Sequence, residues 1–136
     1  MINYCINNGI TVTAYSPLGG SKLVKENIEK WNADPKIKAM CDKYKKTAVQ
    51  VILRWHVQKW PKMYSVIPKT LNANRISENF AIFDFKLTND ELKYINSMDA
   101  KQRSFEPMDF WGIPVYDWCY FSYFNLYYIL VIEITF

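Results

Sequence analysis

The stretch Ser65-Val66-Ile67-Pro68-Lys69-Thr70-Leu71-Asn72-Ala73-Asn74-Arg75-Ile76-Ser77-Glu78-Asn79 decides how this chain is read. Ser65 to Pro68 reads as a short buried strand, because its β-branched residues run into a proline that cannot extend a ladder. Lys69 and Thr70 follow at the strand's C-terminal end. Asn72 is a good N-cap for a helix from Ala73 to about Phe80. On that helix Arg75, Glu78 and Asn79 stand at i, i+3 and i+4 and share one face. A lysine, a hydroxyl and an arginine therefore converge where a strand gives way to a helix. The helix start adds partial positive charge and free N–H groups. Such a cradle suits a phosphate monoester, with about two negative charges and three acceptor oxygens. The same spacing also fits solvated surface charges, with Arg75–Glu78 an exposed helix pair worth about 0.3 kcal/mol. The rest of the chain has to decide between them.

Half of the 136 residues are hydrophobic, enough for one domain with a real core. The net charge of +4 is spread out with no long Lys/Arg run, which gives no case for nucleic acid and suits an anionic small ligand. Cys5, Cys41 and Cys119 are scattered and form no CxxC pair, so neither a disulfide framework nor a zinc site is expected. A reducing compartment, the cytoplasm, fits that usage. Met1-Ile2-Asn3-Tyr4 lacks the basic start and apolar block of a signal peptide.

Asn3 to Asn8 reads as the last turns of a helix ending at Gly9, and Ile10 to Tyr15 as a strand. Ser16-Pro17-Leu18-Gly19-Gly20 breaks the strand and opens a polar loop of roughly a dozen residues, long enough to be a candidate for function. Asp34 caps a helix with Pro35 at its first position, and Ile37, Met40, Cys41 and Tyr44 form its apolar stripe. Thr47 caps a second helix with Ala48, Val51, Ile52 and Trp55 inward, stopped by Trp60-Pro61. Phe80, Ile82, Phe83 and Phe85 read as packing residues. Thr88 to Glu91 is a capping box for a helix that turns Leu92, Ile95 and Met98 to the core. The expected class is α/β with two parallel strands. Ser104 to Pro114 reads as loop, and from Val115 the chain is dense in tyrosine and aliphatics. Asn125, Glu133 and the tyrosines argue against a membrane span there, which needs about 20 largely apolar residues. A sticky tail or a non-native extension is the expectation.

Gly9-Ile10-Thr11-Val12-Thr13-Ala14-Tyr15-Ser16-Pro17-Leu18-Gly19, followed by Ile67-Pro68-Lys69-Thr70 with Arg75, Glu78 and Asn79, strongly resembles the C-terminal part of the aldo-keto reductases. Phe83-Asp84-Phe85-Lys86-Leu87 is similar to that family's text just after its cofactor helix. The likeness covers roughly residues 1 to 111, with 112–136 left as an unassigned tail. It implies a (β/α)₈ TIM barrel that uses NADPH to reduce aldehydes and ketones, with Ile10–Tyr15 as the seventh strand and Tyr64–Ile67 as the eighth. By the resemblance, Tyr15 stacks on the nicotinamide, and Ser16 and Leu18 lie in the loop that wraps the pyrophosphate. Gly19 to about Asn32 would be the flap over the cofactor. Lys69, Thr70 and Arg75 match the residues that hold the 2′-phosphate, and Glu78 and Asn79 match positions near the adenine. A barrel enzyme binds phosphate after its seventh and eighth strands, which is where these motifs sit.

The family's catalytic aspartate, tyrosine, lysine and histidine lie on earlier strands, upstream of anything matched here. No catalytic and no metal-binding residue is therefore assigned. His56, the one histidine, is mid-helix and is given a structural role. The expectation is an incomplete barrel that binds a nicotinamide cofactor and does not reduce carbonyls alone. A carbonyl substrate enters only with the full enzyme. The alternative is a non-catalytic module that docks on a partner through its open sheet edge and aromatic tail.

Overall fold

The computed structural model describes residues 2–61, 64–98 and 131–133, with side chains for all of these except 21, 22 and 131–133. In chain order the elements are α1 (Ile2–Asn7), β1 (Val12–Tyr15), α2 (Gly20–Ala33), α3 (Pro35–Tyr44), α4 (Ala48–Lys59), β2 (Tyr64–Ile67), α5 (Ala73–Phe80), α6 (Asn89–Ser97) and β3 (Val131–Glu133). The strands form one sheet in the order β2-β1-β3, parallel throughout. β1 and β2 are the expected parallel pair, with Val12 opposite Tyr64 and Tyr15 opposite Ile67. A parallel pair needs a long crossover, and α2, α3 and α4 supply it.

The helices start where side chains can satisfy their first N–H groups. Asp34 accepts from the N–H groups of Lys36 and Ile37, both at 2.9 Å, with Pro35 at the first helical position of α3. Thr47 with Gln50, and Thr88 with Glu91, form complete capping boxes for α4 and α6. With the ends fixed, the apolar stripes meet. Trp31, Ile37, Met40, Val51, Ile52, Trp55, Leu87 and Ile95 form the main core. Burying each such side chain contributes about 1.5–3 kcal/mol. A smaller cluster of Cys5, Val12, Ala14 and Tyr64 joins α1 to the sheet. Gln58 ties the segment before α6 to α4, accepting from Leu87 N–H at 2.8 Å and donating to its carbonyl at 2.7 Å. Gln50 donates to the carbonyls of Glu78 and Ala81, and Lys46 pairs with Asp84 at 2.7 Å. These bonds hold the end of α5 against α4.

Three expectations are corrected. The polar loop after Gly20 is a helix, α2, because Leu23, Asn27 and Trp31 recur at one face with Val24 and Ile28 beside them. β2 is not a buried strand: Tyr64 is buried, but Ser65 and Ile67 are exposed, since β2 ends the described sheet on that side. Phe80 and Phe83, expected to pack inward, are 77% and 61% exposed and stack edge-to-face on each other at 5.8 Å. Ile82, between them in sequence, takes the core position instead. The loop expected at Ser104 to Pro114 and most of the aromatic tail lie outside the described residues. The sequence reading did not foresee β3, which lies within that tail. No helix among the described residues is long and apolar enough to cross a membrane.

Candidate functional site

Parallel pairing with Tyr15 opposite Ile67 sends both following loops out of the same end of the sheet. The strands themselves are about 4.8 Å apart. The two groups of predicted residues, Tyr15-Ser16-Leu18 and Lys69-Thr70 with α5, are thus neighbours in space despite some fifty intervening residues.

The first loop is pinned from below. Ser16 adopts φ 52°, and Gly19 N–H closes the turn on the Ser16 carbonyl at 2.8 Å. His56 Nε2, from α4, donates to the Pro17 carbonyl at 3.0 Å. A carbonyl can only accept, so the proton sits on Nε2. Asn27 Nδ2, from α2, donates to the Leu18 carbonyl at 3.3 Å. Pro17 is buried, while Tyr15 at the strand end is 51% exposed. Gly19 has φ 100°, and a Cβ there would lie 2.3 Å from Asn27 Nδ2. Gly19→Ala is expected to lower stability by about 1–3 kcal/mol, through left-handed strain and loss of the Asn27 bond. Chemical denaturation measures it, and an unchanged midpoint would show the turn to be tolerant.

The second loop is built as the sequence implies. Asn72 caps α5 by accepting from Asn74 N–H at 2.9 Å. Thr70 Oγ1 accepts from Asn72 N–H at 3.1 Å, which leaves the hydroxyl proton free to donate outward. Lys69, Arg75 and Glu78 are exposed, and Thr70 and Asn79 are half-buried. The Arg75–Glu78 pair of the surface-charge alternative is absent among the described residues. Lys30, Lys43, Lys46 and Lys93 each hold a carboxylate, whereas neither Lys69 nor Arg75 pairs with a carboxylate of the described residues. Lys69, Thr70 and Arg75 thus stand at the junction between β2 and α5. Thr70 and Asn79 also border a groove beside β2.

Sequence reasoning missed Asn27, hidden in the stretch taken for a loop, and the role of His56 as the tie between α4 and the Pro17 turn. Buried among Trp55, Tyr64 and the turn, the imidazole is pushed from 6.5 down to about 4, chiefly by desolvation, and so is neutral at pH 7. No group of three or more His, Cys, Asp or Glu among the described residues is arranged for a metal ion.

The sequence model of the Aldo/keto reductase family matches residues 1–100. The chain belongs to this family. Aldose reductase C of Dictyostelium discoideum is 40% identical over 113 residues, which cover 83% of this chain and 32% of that protein. Aldose reductase from Giardia lamblia superposes with a TM-score of 0.71 at 38% identity, covering 85% of this chain and 38% of that one. An aldo-keto reductase solved in complex with NADPH superposes at 0.69 with 32% identity, covering 82% and 34%. The chain spans about a third of the length of the relatives it matches. In this aldo-keto reductase chain the parallel β1–β2 pair carries both motif loops, consistent with part of a barrel.

Proposed function

We propose that residues 1–111 are the C-terminal, NADPH-binding portion of a carbonyl-reducing aldo-keto reductase, with β1 and β2 as the seventh and eighth barrel strands. Residues 112–136 lie beyond that portion, and within them β3 pairs with β1. The observation that carries this reading is the pair of motif loops at one end of the β1–β2 pair, with Lys69 and Arg75 uncommitted to any carboxylate of the described residues. Bound NADPH would supply hydride for a carbonyl carbon. Lys69, Thr70 and Arg75 hold its 2′-phosphate by charge-assisted hydrogen bonds. The turn Ser16–Leu18, held by His56 and Asn27, carries the pyrophosphate, and the Tyr15 ring supports the nicotinamide. Glu78 and Asn79 stand on the adenine side.

Reduction also needs a proton donor for the developing alkoxide, and that group belongs to strands outside this chain. The site works in a cytoplasmic, reducing setting. A titration of the chain with NADPH and with NADH, followed by tryptophan fluorescence, tests the reading. NADPH is expected to bind at least tenfold more tightly, with no carbonyl reduction by this chain alone. Equal affinities would sink the 2′-phosphate assignment, and turnover would overturn the placement of catalysis elsewhere.

A second reading, an interaction module, is favoured by one surface. Leu71 is 90% exposed, and a groove of about 1290 Å³ beside β2 is lined by Tyr64, Val66, Ile76 and Phe80. The buried Tyr64 hydroxyl has no hydrogen-bond partner among the described residues. That reading expects no preference between the two cofactors.

A further inference from the structure

We propose that Val131–Glu133 is an internal edge strand that occupies the side of β1 where a complete barrel would place its sixth strand. β3 must then leave before the sheet can grow on that side. The inference rests on β1 and β2 being the seventh and eighth strands, as argued above. A barrel lays its strands side by side in sequence order, so β1 has β2 on one side and its predecessor on the other. Here the second neighbour comes from the far C-terminal end: Thr13 pairs with Val131, Ala14 with Ile132 and Tyr15 with Glu133. The order β2-β1-β3 is one that consecutive barrel strands cannot produce.

The physical drive is plain. Along a parallel strand alternate residues direct their N–H and C=O groups to opposite neighbours. Without β3, half of those groups on β1 would face an empty edge. Val12 and Ala14 are fully buried and pack with Cys5 and Tyr64, so β1 lies in the core of the described sheet. Ile129 to Thr135 is rich in β-branched residues, the composition that adds readily to such an edge. The occupant is thus the chain's own segment, and it competes with any other parallel strand brought to β1.

The test uses the full-length chain and a fluorescent peptide copying residues 129–135. One of two adjacent residues in a parallel strand aims its N–H at the neighbour, so the double variant Val131→Pro/Ile132→Pro removes the ladder whichever it is. The double variant is expected to bind the peptide at least tenfold more tightly than the unaltered chain, and a scrambled peptide should bind neither. Equal peptide binding by the two chains, or equal binding of the scrambled peptide, would overturn the proposal. Hydrogen exchange gives a second reading. The amides of residues 13–15 that face β3 should lose protection in the double variant while those of α4 keep it, which also shows that the variant folds. Unchanged protection over all of residues 13–15 would overturn the proposal. Neither readout involves a cofactor, so a failed NADPH titration leaves both interpretable.

Discussion

Taking the chain from pH 7 to pH 4 is expected to cost about 3 kcal/mol of stability through one residue, His56. Its ring is fully buried, lies edge-on to Trp55 at 4.6 Å and stacks on Tyr64 at 6.0 Å. Desolvation is the main force lowering its pKa from 6.5 to about 4; the Lys59 charge adds to it and the Pro17 carbonyl opposes it. The unfolded chain therefore takes up a proton near pH 6.5 that the folded chain refuses until about pH 4. Between those values the unfolded state binds more protons, so stability rises with pH. The contribution is fully present above pH 6.5 and is lost as pH falls toward 4.

The carboxylates act lower down. Burial works to raise both Asp34 and Glu91. The Tyr94 hydroxyl and the α3 N–H groups outweigh it at Asp34, and Lys43 with the Thr88 N–H outweighs it at Glu91, so both end below their ordinary values of 3.8 and 4.5. Their stabilisation is lost as pH falls from those values downward, which among the described residues leaves the window from 4.5 to 6.5 to His56. His56→Leu is expected to flatten the urea midpoint across that window. At pH 7 it should also cost about 1–3 kcal/mol, because the Pro17 carbonyl loses its donor. Parallel pH slopes in the two chains would show that His56 is not the titrating group.

Local chemistry made most of the helices legible. Asp34-Pro35, Thr47 and Thr88 to Glu91 each announce an end through groups that satisfy orphan N–H donors, and that signal survives any tertiary context. α2 was hidden by its composition. Gly19-Gly20 reads as a break, and Asn27 interrupts an otherwise regular stripe of Leu23, Val24, Ile28 and Trp31. Asn27 is nonetheless buried, because the Leu18 carbonyl gives its amide a partner that only the fold provides. The exposure of β2 and of Phe80 and Phe83 depends on what stands beside β2, a long-range fact that no local pattern carries. β3 was unreadable for the same reason. Three residues in an aromatic stretch hold no sign that they pair with a strand more than a hundred residues earlier.

Replacing Arg75 by alanine is expected to weaken NADPH binding roughly ten- to a hundredfold while changing NADH binding less than about twofold. Losing one charge-assisted hydrogen bond to the 2′-phosphate costs about 1.5–3 kcal/mol, and only NADPH carries that phosphate. The fold gives the substitution little else to disturb. Arg75 is exposed, its helix is capped by Asn72, and no carboxylate among the described residues pairs with it. Stability should therefore stay within about 0.5 kcal/mol, and a change in affinity can be read as lost contact. Arg75→Lys should recover part of the affinity, since a point charge replaces a planar fork. The NADPH preference should also shrink with added salt, because the contact is exposed and screened within about 8 Å at 0.15 M. If both cofactors weaken equally, Arg75 holds something common to them, such as the pyrophosphate, and the 2′-phosphate contact falls to Lys69 and Thr70. If neither weakens, the cation is an ordinary surface charge, and the likeness of the 67–79 stretch to a cofactor helix is one of fold alone.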